Sequence, residues 1–214
     1  MSKKIVFYGD SITDASRVKE AQGAMNSTAY GYGYVLQIAG RILAEKPNDY
    51  HIINTGISGN RICDLYARIK KDVWNYEPDV LSILVGVNDV WHEITYQNGV
   101  DIERFEKLYD MLLEDTKKVL PNTKIIILEP FVLKGTATAG RYERYLEVRD
   151  YAKVVEKVAK KHNAYFIKLQ EKFDKKAEEY GVEPYLVDGV HPNTAGATLI
   201  AEEWIKCAKE NNII

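Results

Sequence analysis

Five short apolar runs recur along the chain, at residues 4–8, 51–54, 80–85, 124–128 and 164–168. Each is rich in Ile, Val, Leu or Phe and is flanked by Gly, Pro, Asn or Asp. Their hydrophobicity is continuous rather than alternating, the pattern of strands buried on both faces of a parallel sheet. Between them lie longer stretches with apolar residues at helical spacing. Phe105, Leu108, Leu112 and Val119 mark one stripe, and Tyr151, Val154, Val155, Val158 and Ala159 mark another. Leu199, Ile200, Trp204, Cys207 and Ala208 form a third. Further helices are predicted over 34–45, 62–75 and 170–180. Strands alternating with helices predict a three-layer α/β/α arrangement in one domain spanning 1–214. Parallel strands of such a fold share a C-terminal edge, which is where ligands bind. Segment 131–144, rich in Gly, Thr and Ala after the fourth strand, is placed to form a wall of that site.

Composition narrows the function classes. A chain of 214 residues can bury a sizeable core without disulfides or metals. Its formal net charge of -2 lacks the basic footprint of a nucleic-acid binder. The N-terminal run ends at Gly9-Asp10, short of the about seven to fifteen apolar residues of a signal peptide. No apolar run approaches the roughly 18 residues of a membrane span. The expectation is a cytoplasmic protein without a membrane partner. Cys63 and Cys207 show neither CxxC spacing nor His clustering, so they read as reduced thiols on or near apolar helix faces, with no metal site.

Four segments carry candidate chemistry, and three of them directly follow predicted strands. In Gly9-Asp10-Ser11-Ile12-Thr13 the Ser11 hydroxyl faces the ligand edge, and its N–H lies near a helix N-terminus. That placement suits attack on an acyl carbon, although a Ser there also serves as a plain helix cap. In Asn54-Thr55-Gly56-Ile57-Ser58-Gly59-Asn60 a Gly-rich loop can bring backbone N–H groups to a substrate oxygen, or simply turn the chain. In Gly86-Val87-Asn88-Asp89 the Asn88 amide can donate to an oxyanion, while Gly, Asn and Asp also favour turns. In Asp188-Gly189-Val190-His191-Pro192 a tight loop lets the carboxylate orient one imidazole nitrogen and leave the other free. Pro192 is expected in the first turn of the last helix. Of the four His residues, only His191 has such a companion. Together the segments supply a nucleophile, a base, an orienting carboxylate and oxyanion donors at one sheet edge.

These segments resemble the GDSL family, or SGNH hydrolases, across nearly the whole chain. The nucleophile block matches at Ser11, the oxyanion blocks at Gly59 and Asn88, and the Asp-x-x-His block at Asp188 and His191. Ile12 stands where the family name has Leu. The Gly-x-Ser-x-Gly elbow of α/β-hydrolases is absent. The resemblance implies a flavodoxin-like five-stranded sheet of order 2-1-3-4-5 and esterase or acetylesterase activity. It implies a Ser11–His191–Asp188 triad, an oxyanion hole from the Ser11 and Gly59 N–H groups and the Asn88 amide, and no metal or organic cofactor. Gly56-Ile57-Ser58-Gly59-Asn60, Asn88-Asp89-Val90-Trp91 and Glu129-Pro130-Phe131 are similar to intracellular acetylxylan esterases of bacteria, which points to xylo-oligosaccharide esters as substrates.

Three further residues are candidates for substrate contact. Asp10 and Asp14 are placed to hold the nucleophile loop, and Asp10 lies close enough to count as a binding residue. Trp91 either stacks on a sugar ring or packs in the core. Tyr32, in the Tyr30-Gly31-Tyr32-Gly33-Tyr34 cluster, either lines the pocket or contacts a second subunit in a homo-oligomer. Two other readings compete. A lipase or thioesterase would need a broad apolar mouth, and no exposed apolar lid is evident. A flavodoxin-like binding domain would want phosphate-cradling residues after the first strand, where Asp10 repels phosphate.

Overall fold

The computed structural model describes residues 2–214. Its elements alternate as the apolar pattern predicts. They are β1 (Lys3–Gly9), α1 (Ser11–Asp14), α2 (Ser27–Tyr30), α3 (Tyr34–Glu45), β2 (Tyr50–Asn54), α4 (Ile62–Asp72), β3 (Val80–Leu84) and α5 (Val87–Tyr96). There follow α6 (Ile102–Val119), β4 (Lys124–Leu128), α7 (Tyr142–Tyr145), α8 (Val148–Lys161), β5 (Tyr165–Ile167), α9 (Gln170–Tyr180) and α10 (Thr194–Glu210).

The five strands form one parallel sheet of order β2-β1-β3-β4-β5. β1 is central, with Ile5 opposite Ile52 on one side and Val80 on the other. Consecutive residues of a strand point to opposite faces, and β1 shows what each face meets. The Phe7 ring packs on Tyr34 of α3 and Trp204 of α10. The Tyr8 hydroxyl donates to the Leu65 carbonyl of α4. Thus α3 and α10 cover one face, while α4, with α6 and then α8 beside it, covers the other. Residues Ile5 to Tyr8 are all fully buried as a result, which is why the run shows no polar alternation. Trp204 also donates its indole N–H to Ser82 on β3, so that buried hydroxyl is paired.

Three local expectations are corrected. Val119 is exposed, because the buried stripe of α6 is Phe105, Tyr109, Leu112, Leu113 and Thr116, and Val119 closes the last turn beside the exposed start of β4. The helix expected over 62–75 ends at Asp72, and Trp74–Tyr76 form a single tighter turn. Val73, at φ −132° and ψ −62°, leaves the helical conformation and ends α4. Pro192 precedes α10 rather than entering it. Asn193 is the N-cap, accepting from the Ala195 and Gly196 N–H groups, and Pro192 bridges to Leu186 instead.

Candidate active site

The C-terminal ends of β1, β2 and β3 and the loop before α10 meet at one edge of the sheet. Ser11 is the first residue of α1, immediately after β1. Asp10 caps that short helix by accepting from the Ile12 N–H at 3.0 Å. An N-terminal helix N–H has no partner within its own helix, and among the described residues the Ser11 N–H donates to no protein acceptor.

The loop after β2 folds against this turn. Its Ile57 N–H donates to the Gly9 carbonyl at 3.0 Å. Asp14 accepts from the Ser58 N–H at 2.9 Å and the Ser58 hydroxyl at 2.7 Å. Gly59 takes a left-handed conformation, φ +82°, which a side chain would strain. Its N–H also has no protein acceptor among the described residues. After β3, Asn88 stands in the first turn of α5 and donates one amide hydrogen to the Asn60 carbonyl at 3.1 Å. A carboxamide carries two hydrogens, so one remains for another acceptor.

His191 reaches this cluster from the loop before α10. Its Nε2 lies 2.9 Å from the Ser11 hydroxyl oxygen, and its Nδ1 lies 2.7 Å from Asp188 Oδ2. The other Asp188 oxygen accepts from the Val190 and His191 N–H groups, both at 2.9 Å, which locks the carboxylate in place. That turn requires Gly189, at φ +100°, where a Cβ would sit 2.5 Å from the Leu133 carbonyl. Segment 131–144 therefore supports the Asp188 loop from behind. The Leu133 N–H donates to Gly189 and the Ala137 N–H to Asp188.

Electrostatics follow from these contacts. The hydrogen bond to Asp188 raises the His191 imidazole above its ordinary 6.5, against an opposing effect of burial. Burial alone would raise the Asp188 carboxyl, but hydrogen bonds from His191 and the two backbone N–H groups outweigh it and bring it to about 2. Burial pushes Asp10 the other way, to about 7, partly offset by the Ile12 N–H and by His191. Asp89 is also raised by burial. Among the described residues one carboxylate oxygen of each of these two is buried without a hydrogen-bond partner, so burial disfavours the charged form of each.

The chain is similar to proteins of known family. The profile of the GDSL-like Lipase/Acylhydrolase family matches residues 7–199. The chain belongs to that family. It is a carboxylic ester hydrolase. An acetylxylan esterase from Geobacillus stearothermophilus is 31% identical over 210 residues, covering 95% of this chain and 93% of that protein. Among solved structures, a GDSL-like lipase from Parabacteroides merdae is 35% identical with a TM-score of 0.90, covering 98% of this chain and 97% of that one. A Geobacillus stearothermophilus acetylxylan esterase structure is 30% identical with a TM-score of 0.85, covering 96% and 93%. Two variants of that esterase, one with a Ser and one with an Asp changed to Ala, are described as catalytic mutants.

The GDSL-like site differs in detail from the sequence reading. Asp10 is 1% exposed and lies beneath the site rather than on the surface a substrate meets. Trp91 is half-buried at the rim, with its ring 6.0 Å from that of His191 and 5.6 Å from that of Tyr145. Tyr32 is 69% exposed, whereas Tyr30 and Tyr34 are buried. Cys63 and Cys207 are free and half-buried on α4 and α10. Among the described residues no cluster of His, Cys, Asp or Glu is arranged to hold a metal, and no helix is long and apolar enough to cross a membrane.

Two contributors escape the sequence reading. Asp89, which reads as a turn residue, accepts from the Ile62 N–H at 3.0 Å and so joins α5 to the start of α4. Arg68 belongs to none of the four segments. It lies in phase with the buried stripe of α4, three residues after Leu65, and pairs with Asp72 at i,i+4. A charged pair in phase with an apolar stripe is the available signal.

Proposed function

We propose that this chain is a serine esterase that removes short acyl groups, acetyl above all, from carbohydrate esters such as acetylated xylo-oligosaccharides. The continuous relay from Ser11 through His191 to Asp188, at 2.9 and 2.7 Å, carries this reading. His191 takes the Ser11 proton as the hydroxyl oxygen attacks the ester carbonyl. Asp188 holds the imidazole in the tautomer with its proton on Nδ1 and stabilises the imidazolium that forms. The tetrahedral oxyanion accepts from the Ser11 and Gly59 N–H groups and the free amide hydrogen of Asn88. Collapse expels the sugar hydroxyl, protonated by His191. Water, deprotonated by the same imidazole, then releases the acid and restores Ser11.

The preference for short acyl groups rests on the likeness to an acetylxylan esterase, and Trp91 stands beside His191 at the rim. Trp91 then presents the rest of its face to a sugar ring. With both cysteines free, a reducing compartment such as the cytoplasm suits the chain, and fractionation of source cells checks that placement.

Mass spectrometry of acetylated xylo-oligosaccharides tests reaction and substrate together. Wild-type protein should remove acetyl groups, and Ser11→Ala should remove none. A Ser11→Ala protein as active as wild type overturns the mechanism. A p-nitrophenyl ester series with its maximum at eight carbons or more overturns the acetyl preference and favours a lipase.

A further inference from the structure

The oxyanion donors of the proposed mechanism come from three separate segments, so something must fix their separation. Gly59 stands on the loop after β2, Asn88 in the first turn of α5 after β3, and Ser11 at the start of α1 after β1. A donor displaced by a few tenths of an ångström loses its advantage in the transition state without losing the fold.

The Arg68 side chain, 15% exposed, spans these segments. Its Nη2 donates to the Gly9 carbonyl at 3.0 Å, two residues before Ser11. Its Nη1 donates to the Thr55 carbonyl at 2.8 Å, at the start of the loop that carries Gly59. Its Nε donates to Asn60 Oδ1 at 2.6 Å, and the Asn60 carbonyl accepts the Asn88 amide. Asp72 accepts a further hydrogen bond from Nη1 at 2.7 Å and balances the charge. The guanidinium carbon sits 4.3 Å from the centre of the Tyr8 ring, which restricts rotation of the plane. A guanidinium is a rigid planar fork, and a lysine ammonium could satisfy only some of these acceptors. Such a buried ion pair is weak support for stability as such, but it is well suited to fixing distances.

We infer that Arg68 is a positioning residue of the ester-hydrolysing site, setting the separation of the Ser11, Gly59 and Asn88 donors. This rests on the esterase reading above. The residue touches no substrate and acts through Gly9, Thr55 and Asn60.

Arg68→Lys and Arg68→Ala test it with p-nitrophenyl acetate. Arg68→Lys keeps the charge opposite Asp72 and should remain folded by circular dichroism. Its kcat should fall about 10- to 100-fold with KM within about threefold of wild type, because the donors act on the transition state. Methylguanidinium in solution should restore at least about tenfold of the kcat lost in Arg68→Ala by refilling the vacated fork. Hydrogen exchange supplies a readout that needs no turnover: amides of residues 55–60 should exchange faster in Arg68→Lys, while those of β4 and β5 stay protected. A folded Arg68→Lys enzyme with wild-type kcat and unchanged exchange at 55–60 overturns the inference. So does a loss of kcat that merely follows the folded fraction and is not rescued. Wild-type protein without Ser11-dependent turnover overturns the esterase reading instead, and the exchange measurement still decides whether Arg68 holds the loop.

Discussion

Replacing Asp188 with Asn separates the charge of the carboxylate from its shape. The carboxamide oxygen of an Asp188→Asn variant can still accept from the Val190 and His191 N–H groups, so the turn should persist. Its NH2 group, however, would face His191 Nδ1 across the present 2.7 Å contact and could only donate there. The imidazole must then carry its proton on Nε2, towards Ser11, and can no longer accept the Ser11 proton. By analogy with other Ser-His-Asp systems, kcat should fall about 10⁴-fold with little change in KM. Stability should change far less. A carboxyl lowered from 3.8 to about 2 corresponds to about 2 kcal/mol of preference for the charged form in the fold. That contribution is present above pH 3.8 and disappears as pH falls through about 2. Its loss at neutral pH should lower Tm by no more than about 8 °C for a chain of this size. The pH profile provides a further readout. In wild type the acid limb of kcat/KM should lie above 6.5, because His191 is raised and must be neutral to act as base. In Asp188→Asn the residual activity should have its limb shifted to lower pH. A pH-stat assay with an acetyl ester, together with calorimetry, measures all of these. A folded Asp188→Asn enzyme within tenfold of wild-type kcat, or with an unmoved acid limb, would refute the assigned role.

Asn88→Ala should lower kcat about 100- to 1000-fold on p-nitrophenyl acetate with KM nearly unchanged, because it removes one oxyanion donor. Asp10→Asn should raise Tm at pH 8. The folded-state value of Asp10 is raised, so its burial is tolerated below pH 3.8 and increasingly opposes folding as pH rises from 3.8 through about 7; calorimetry should show a larger gain at pH 8 than at pH 5. The same change should lower the acid limb of kcat/KM, since ionised Asp10 helps to raise His191. Trp91→Ala should raise KM about fivefold on acetylated xylo-oligosaccharides, consistent with one lost ring contact, and leave KM for p-nitrophenyl acetate within about twofold. Equal effects on both substrates would argue against a sugar platform.

The fold is legible because its determinants are periodic. Five uninterrupted apolar runs read as strands covered on both faces, and the predicted helices over 34–45 and 170–180 match α3 and α9 end to end. The ends that miss do so where local chemistry overrides periodicity. Val73 leaves the helical backbone and ends α4 early, and Asn193 takes the cap position of α10, which leaves Pro192 outside the helix. Val119 keeps the heptad spacing of Leu112 but lies in the last turn, where it is exposed. Spacing specifies a direction around the helix axis and carries no information on where the covering layer stops.

The site is legible to the extent that its residues follow strands directly, as Ser11, Gly59 and Asn88 do. Asp14 reads in the chain as a residue that holds the nucleophile loop, but its partner there, and the roles of Asp89 and Arg68, stay concealed. Asp14 grips the Ser58 N–H, 44 residues away, Asp89 grips the Ile62 N–H, 27 residues away, and Arg68 grips the Gly9 carbonyl, 59 residues away. Each is an ionisable side chain bound to backbone of another segment. In sequence an aspartate near a glycine reads as a turn residue, because that role needs only neighbours. Its other role, satisfying a distant orphan N–H, depends on which strand ends become adjacent, and so emerges only from the order β2-β1-β3. Had β3 not lain beside β1, Asp89 could not reach α4, nor Asn88 the carbonyl of Asn60. The sheet order therefore does more than gather Ser11, Gly59 and Asn88 at one edge: it sets which backbone polar groups fall within reach of the side chains of Asp14, Asp89 and Arg68.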